Sequence, residues 1–454
     1  MKKYIALGLA LVAIGACNPN AALRPKEKGV VTTIGSSSLP GLYIGALSDF
    51  TIAWSGGGDE SNGGHEGHVG LSALFTDELT SEFLDEFTFR RALDTGQATP
   101  ANTQLNGIFN DLSASRHSSE TAASSFAQFA PADIGRSEML SIEGYTYSLF
   151  GEMWCSGVPF GELNVTTGAP VYGPALTTAQ IFAAALAKFD SASQFAAADT
   201  NSLIAGQYAA DTAEIRALAA LGRARVLLNL GQFAAAQAAA DSSLLHDPAL
   251  NYQMENSLNS PRQYNGVWQF SIANDAWGTI DKKAGNGLDF ESANDPRILW
   301  VDGHQLGSLG ATPVGLDTIH FELKYPTKSS SATLASATEA TLISAEADLK
   351  AGQIASWAAK LNALRANSGL GLPALTADST TLASDSMRVE VHFREREFWL
   401  WLTGTRLGDL RRLIHQYGHN DFPANPTRDI RFSIPVTETN NPNFKQCLDV
   451  GNEQ

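Results

Sequence analysis

Four groupings in this 454-residue chain bring together side chains that could do chemistry. His65-Glu66-Gly67-His68 is one residue short of the H-E-x-x-H zinc pattern. It lies among glycines, without the helix that puts both imidazoles on one face, so no metal site is expected there. His415 and His419 are spaced i, i+4, but Gly418 and Asn420 mark a helix end, and a solvated pair is the simpler reading. In Arg394-Glu395-Arg396-Glu397 the flanking arginines are expected to hold both carboxylates ionised, which removes a proton donor. Gly285 and Gly287 lack the strand-to-helix setting of a phosphate loop. No nucleophile, base and orienting group stand together, so the expectation is a protein without catalytic residues, metal or cofactor.

Binding is the sharper possibility. Sugar rings stack their C–H faces on indole and phenol rings, and peptide side chains use the same surfaces. Trp54, Trp268, Trp277 and Trp300 fall in or beside glycine-rich and polar turns and are the candidate ligand-binding residues. Trp399 and Trp401 fall within a helical pattern and are expected in the core.

Those loops need a scaffold, and its most specific stretch is 388–412. A charged run, Arg394 to Glu397, leads through an aromatic run to Gly404-Thr-Arg406-Leu-Gly-Asp409-Leu410-Arg411-Arg412. The spacing predicts two helices, with Gly404 as the C-terminal cap of the first. Arg406, Asp409 and Arg411 are expected to form an ion network pinning the joint.

This segment resembles the C-terminal signature of the SusD/RagB family of nutrient-binding outer-membrane lipoproteins, in Glu395-Arg396, Gly404, Arg406, Asp409, Leu410 and Arg411. Trp399 and Thr403 stand where the family usually has Glu, which marks a divergent branch. Asn294-Asp295-Pro296-Arg297 resembles the family's Asp-Pro-Arg element, and Ser433-Ile434-Pro435, Glu438 and Asn441-Pro442-Asn443 its ending. The resemblance implies a mainly α, SusD-like α-α superhelix: a tetratricopeptide-like scaffold with a long irregular, loop-rich insert containing short β-strands. It implies capture of an oligosaccharide or peptide ligand and delivery to a SusC-like TonB-dependent outer-membrane transporter, on which the lipoprotein sits as a hinged lid. Trp277, in the polar turn Asn274 to Gly278, lies in the region the family uses for its ligand. A tetratricopeptide lipoprotein scaffold for outer-membrane assembly is the alternative; it would need no insert.

The N-terminus points the same way by independent chemistry. Lys2-Lys3 precede an apolar run from Tyr4 to Ala13, too short to span a membrane, that ends in Ile14-Gly15-Ala16-Cys17. This reads as a signal peptide over 1–16 with Cys17 as the lipidated residue, held on a membrane by acyl chains at about 0.8 kcal/mol per buried CH₂. Surface exposure on the outer membrane follows from the resemblance alone. Loss of two lysines with the leader shifts the formal net charge from −16 to −18, which repels nucleic acid. Cys155 and Cys447 are then the remaining cysteines. In an oxidising compartment they can pair, or remain as two buried thiols.

Along the chain, 17–40 reads as a lipidated tether, 41–250 as an N-terminal helical half, 251–331 as the irregular ligand-facing insert, and 332–454 as a C-terminal helical half and tail. Helices are expected over 42–54, 71–89, 137–154, 179–198 and 209–245, with a turn at Leu230-Gly231-Gln232-Phe233. Ala224, Leu227, Gly231, Phe233, Ala236, Ala240, Leu244 and Pro248 make a tetratricopeptide-like pattern, echoed over 345–365 around Gly352. Within the insert, 267–272 and 318–321 are expected to be strands.

Overall fold

The alanine-rich segments form helices whose small side chains let neighbours approach closely. The computed structural model describes residues 35–449 apart from 59–64, 82–87, 165–166, 168, 199–210, 282–287, 304–319, 377–381 and 420–428. Cys17, the leader, most of the tether, Gly285, Gly287, Thr318 and Ile319 lie outside the described residues. Two units are distinguished, 1–38 and 39–454; in the first, Ser36–Ser38 is a 3-10 turn. The second holds everything that follows.

Its N-terminal half contains α1 (Leu39–Ser55), α2 (Gly67–Phe75), β1 (Leu79–Thr80), α3 (Thr88–Asp94), α4 (Thr103–Phe129) and α5 (Ile134–Met153). After α5 come β2 (Val158–Pro159), β3 (Glu162–Leu163), β4 (Pro170–Val171) and β5 (Ala175–Leu176), then α6 (Thr178–Ala198), α7 (Thr212–Asn229) and α8 (Phe233–His246). The insert supplies β6 (Asn251–Met254), α9 (Gly266–Trp268), β7 (Gly278–Thr279), β8 (Trp300–Asp302) and β9 (His320–Glu322). The C-terminal half supplies β10 (Ala332–Ser336), α10 (Ala337–Lys350), α11 (Ile354–Asn367), α12 (Asp385–Trp399) and α13 (Arg406–Tyr417). The strands pair antiparallel in twos, β1 with β7, β2 with β5, β3 with β4, β6 with β10 and β8 with β9.

The two tetratricopeptide-like patterns become two helical hairpins built alike. In α7/α8, Gly231 at φ +69° donates to the Leu228 carbonyl and Gln232 to that of Leu227. In α10/α11, Gly352 at φ +71° donates to Leu349 and Gln353 to Asp348. Only glycine adopts this left-handed turn without strain. Arg225 of α7 makes a two-pronged bond to Glu339 of α10, 2.7 Å on each prong, joining the hairpins across the middle. Phe189 of α6 fills a socket floored by Gly144 and Gly222, where an added Cβ would come within 2.9 and 2.1 Å of its ring.

Two expected elements differ, and one helix has no counterpart among the expected ones. The helix expected over 71–89 is two helices, because Thr76 turns its hydroxyl back to the Ser72 carbonyl and Asp77 adopts φ +63°, sending the chain into β1. Residues 267–272 are helical: Asn265 accepts from the Trp268 amide at 2.9 Å, and a π turn follows over Gln269–Ala273. Helix α4, of 27 residues, matches no expected element. Its buried stripe runs Leu105, Ile108, Phe109, Leu112, Ser115, Arg116, Ser119, Ala122, Ala123, Phe126, and the polar middle breaks the apolar period. Among the described residues no helix is long and apolar enough to cross a membrane.

Candidate functional site

The charged run of α12 is where acid–base chemistry would have to sit, and each of its side chains is instead engaged in holding helices together. Glu395 accepts from Arg297 at 2.9 and 3.2 Å and from Arg365. Arg297 is also clasped by Asp295 at 2.7 and 2.9 Å and lies over the Trp399 ring, 4.9 Å from its centroid. The Asp-Pro-Arg element thus ties the insert to α12. Arg394 pairs with Asp289, and Glu397 with Arg406 at 2.5 Å. Burial, with Glu78 alongside, raises the Glu397 carboxyl against the opposing pull of Arg406.

The joint forms with two corrections. Helix α12 stops at Trp399, capped by Leu400, and Leu402 takes φ +51°; Gly404, at φ +69°, opens the second helix and does not cap the first. An added Cβ there would come within 2.8 Å of His68, so the close approach requires glycine. Asp409 is held by Arg396 at 2.7 and 2.9 Å and by Arg412 at 2.9 Å, whereas Arg411 donates to the Gly151 and Glu152 carbonyls at 3.1 and 2.5 Å. The clamp is therefore built on Arg396 and Arg412, with Arg406 serving Glu397 and Arg411 reaching the end of α5.

His65 and His68 turn to different partners. His65 Nδ1 lies 2.6 Å from Asp111, and Glu66 takes Arg90 and Gln104. His68 is buried with Nε2 at 3.1 Å from the Gly404 carbonyl, and burial lowers its pKa to about 4. His415 sits in the last turn of α13, and His419 lies past Gly418, whose left-handed φ of +69° ends the helix.

The candidate tryptophans separate into two pairs. Trp54 is 1% exposed, layered between Phe50 and His68 at centroid distances of 6.3 and 5.3 Å. Trp277 is 0% exposed, packed on Gly70 of α2 and 5.1 Å from Phe270. Neither presents a ring face to a ligand, so both correct the reading of them as stacking platforms. They serve packing, because the glycine-rich and polar turns around them close onto α2. Trp268 and Trp300 are half-buried in the insert. Trp268 covers Ile272 and Phe321, beside Val301 and Leu323. Trp300 stands across from Glu322 in the β8/β9 pair, its ring 4.4 Å from that of His320. His320 Nδ1 is in turn 2.8 Å from Glu291. Trp399 is half-buried under Arg297, and Trp401 lies in the core as expected.

A cleft of about 720 Å³ opens between α1 and the first arm of the insert. Asn251, Gln253, Asn256, Asn259 and Gln263 carry its amides, and Ile44, Leu47 and Ile52 its aliphatic wall. At its floor Glu138 of α5 accepts from Tyr43 at 2.6 Å and from Tyr252 at 2.5 Å, stapling α5, α1 and β6. Burial pushes the Glu138 carboxyl up to about 7 against the opposing pull of the two hydroxyls. Folding therefore favours the neutral acid: its stabilisation is complete below about pH 4.5 and is lost as pH rises through 7. In Glu138→Gln the stability slope between pH 5 and 7 is expected to lessen by about 1.4 kcal/mol per pH unit, read from urea unfolding across that range. The one local signal for this cleft is the alternation of Asn251 and Gln253 with Tyr252 and Met254, which marks a strand.

No family model and no curated protein matches the sequence. Solved structures do match. A SusD superfamily protein from Bacteroides thetaiotaomicron is 15% identical, with a TM-score of 0.66 over 91% of this chain and 98% of that one. A SusD-like carbohydrate binding protein from Bacteroides vulgatus is 15% identical, with a TM-score of 0.61 over 84% of each chain. A laminarin binding SusD-like protein is 14% identical, with a TM-score of 0.62 over 91% of this chain and 99% of that one. The chain has the SusD-like helical fold, in a sequence far from those of its structural neighbours.

Proposed function

We propose that the protein is a glycan-binding member of the SusD type: an outer-membrane lipoprotein, anchored through Cys17, that captures oligosaccharides and passes them to a SusC-like TonB-dependent transporter without covalent chemistry. The observation that carries this reading is the SusD-like fold, shared over 84% of the chain with a carbohydrate binding protein and over 91% with a laminarin binding one. The long insert between the two helical hairpins favours it over a bare assembly scaffold. Within the insert, Trp300 beside His320, with Trp268 nearby, supplies the half-exposed aromatic surface that sugar rings stack on.

A glycan array followed by calorimetry on the best binder tests the reading. Trp300→Ala is expected to weaken that glycan about tenfold, the loss of roughly 1.4 kcal/mol of stacking, with unchanged melting. An array with no glycan bound, or a hit indifferent to Trp300→Ala and Trp268→Ala, would count against it. Pull-down from solubilised envelopes tests the transporter: recovery of an assembly machine with no TonB-dependent barrel refutes delivery.

A further inference from the structure

The cleft beside α1 differs in chemistry from the Trp300 surface. Its two tyrosines are buried, at 3% and 7% exposure, and their hydroxyls are committed to Glu138, so the cleft offers no ring face for a sugar to stack on. What it offers is a strand edge. Among the described residues β6 is hydrogen-bonded on one side only, to β10. Consecutive residues from Asn251 to Ser257 all line the cleft, so the strand turns its edge and not one face toward the space. The strand itself runs roughly 13 Å at about 3.3 Å per residue, and the chain continues along the cleft until Ser257 donates to the Gln263 carbonyl.

The walls suit the same occupant. The side-chain amides of Asn251, Gln253, Asn259 and Gln263 each pair a donor with an acceptor, the complement of a peptide group. Ile44, 42% exposed, with Leu47 gives an aliphatic wall for alternate side chains. Glu138 is committed to the two tyrosines, and the lining besides it holds the acids Glu214 and Glu255 against a single base, Arg262. Glu214 faces Asp211 and Asp247, and burial and these neighbours raise its pKa. A cationic side chain on the ligand would relieve that repulsion.

We propose that this cleft binds an extended peptide carrying lysine or arginine, which adds as a further strand on the free edge of β6. Backbone bonds give the affinity, and the acids select the charge. The site is separate from the Trp300 surface and stands whether or not that surface binds glycans.

The test uses the full chain in detergent and a fluorescein-labelled octapeptide alternating threonine and lysine. Binding is expected, with new hydrogen-exchange protection at the backbone amides of 251–256. Ser48→Trp, which plugs the cleft from α1, and the double change Glu214→Gln/Glu255→Gln are each expected to weaken it at least tenfold. Ile44→Lys, on an exposed position, gives a second plug should Ser48→Trp fold poorly. Trp300→Ala is expected to leave peptide binding unchanged while weakening the glycan, which separates failure here from failure of the glycan reading. Equal binding of a threonine-glutamate octapeptide, protection that falls elsewhere, or laminarihexaose protecting 251–256 in place of the peptide would overturn the proposal.

Discussion

Asp409→Ala is expected to destabilise the protein by about 3–5 kcal/mol, the scale for removing one partner of a buried ion network. Asp409 is 5% exposed and takes three bonds from Arg396 and Arg412. Glu346 of α10, fully buried, shares Arg412 at 2.9 Å and also accepts from Tyr417 at 3.2 Å, with His392 3.4 Å away. His392 Nδ1 accepts from Trp357 at 3.1 Å, which leaves the Nε2 hydrogen to face Glu346. Two guanidiniums are thus balanced by two carboxylates in the space between α10, α12 and α13. Without Asp409, one positive charge stands uncompensated away from water.

Urea unfolding measures the loss, and a neutral double change separates charge from packing. Asp409→Leu with Arg412→Leu should recover much of the stability, since it leaves Arg396 opposite Glu346 alone. The pH signature is opposite in sign to that of Glu138. Burial works against ionisation of Asp409 and Glu346, but the arginines outweigh it and hold both below the usual carboxylate range. Their stabilisation is present above the ordinary carboxylate pKa and is lost as pH falls below it. A variant as stable as the parent in urea would sink the idea that this network pins the joint.

How much of this was legible in sequence depended on whether a signal was local. Gly231 and Gly352 announce their turns because only a residue without Cβ takes φ near +70° cheaply, and each stands at the turn of its hairpin. Helix α4 is hard to read because Ser115, Arg116 and Ser119 interrupt the apolar period of its buried face: Ser119 bonds back to the Ser115 carbonyl at 2.7 Å, and Arg116 donates to the remote Gly161 carbonyl at 2.6 Å. The ion network shows the same limit. The motif gives the residue types, but nothing local says that Asp409 chooses Arg396 and Arg412 over Arg406, a choice set by which helix faces which.

The site was less legible than the fold. Trp277 sits in a polar turn and Trp54 at the end of a helix beside a glycine-rich stretch, places that read as exposed, and both are core because α2 offers Gly70 and His68 as packing surfaces. An indole next to glycines signals either a ligand platform or a close-packed seam, and the sequence does not separate them. The amide-lined cleft is spread over α1, α5, α7 and β6, so its members become neighbours only in three dimensions.

Breaking the link between Cys155 and Cys447 is expected to cost roughly 3–5 kcal/mol. The two cysteines are joined as a disulfide with a Cα separation of 5.1 Å, across 292 positions of sequence. In the chain-entropy account the gain grows with the logarithm of the closed loop, which places this bridge at the upper end of that range. The native contacts around it are already formed. Cys155 donates to the Phe432 carbonyl at 2.8 Å, Cys447 to that of Ser156 at 2.8 Å, and the tail crosses over Gly157. Reduction therefore leaves the tail with its backbone bonds but returns freedom to the unfolded chain. Comparing urea midpoints of the oxidised protein, the reduced protein and Cys155→Ala/Cys447→Ala should place the last two together, below the first. Two titratable thiols in non-reducing denaturant would show that the protein carries no bridge. The compartment of expression also enters the comparison: material made without residues 1–16 in a reducing cytoplasm should melt with the reduced form and gain stability only on oxidation.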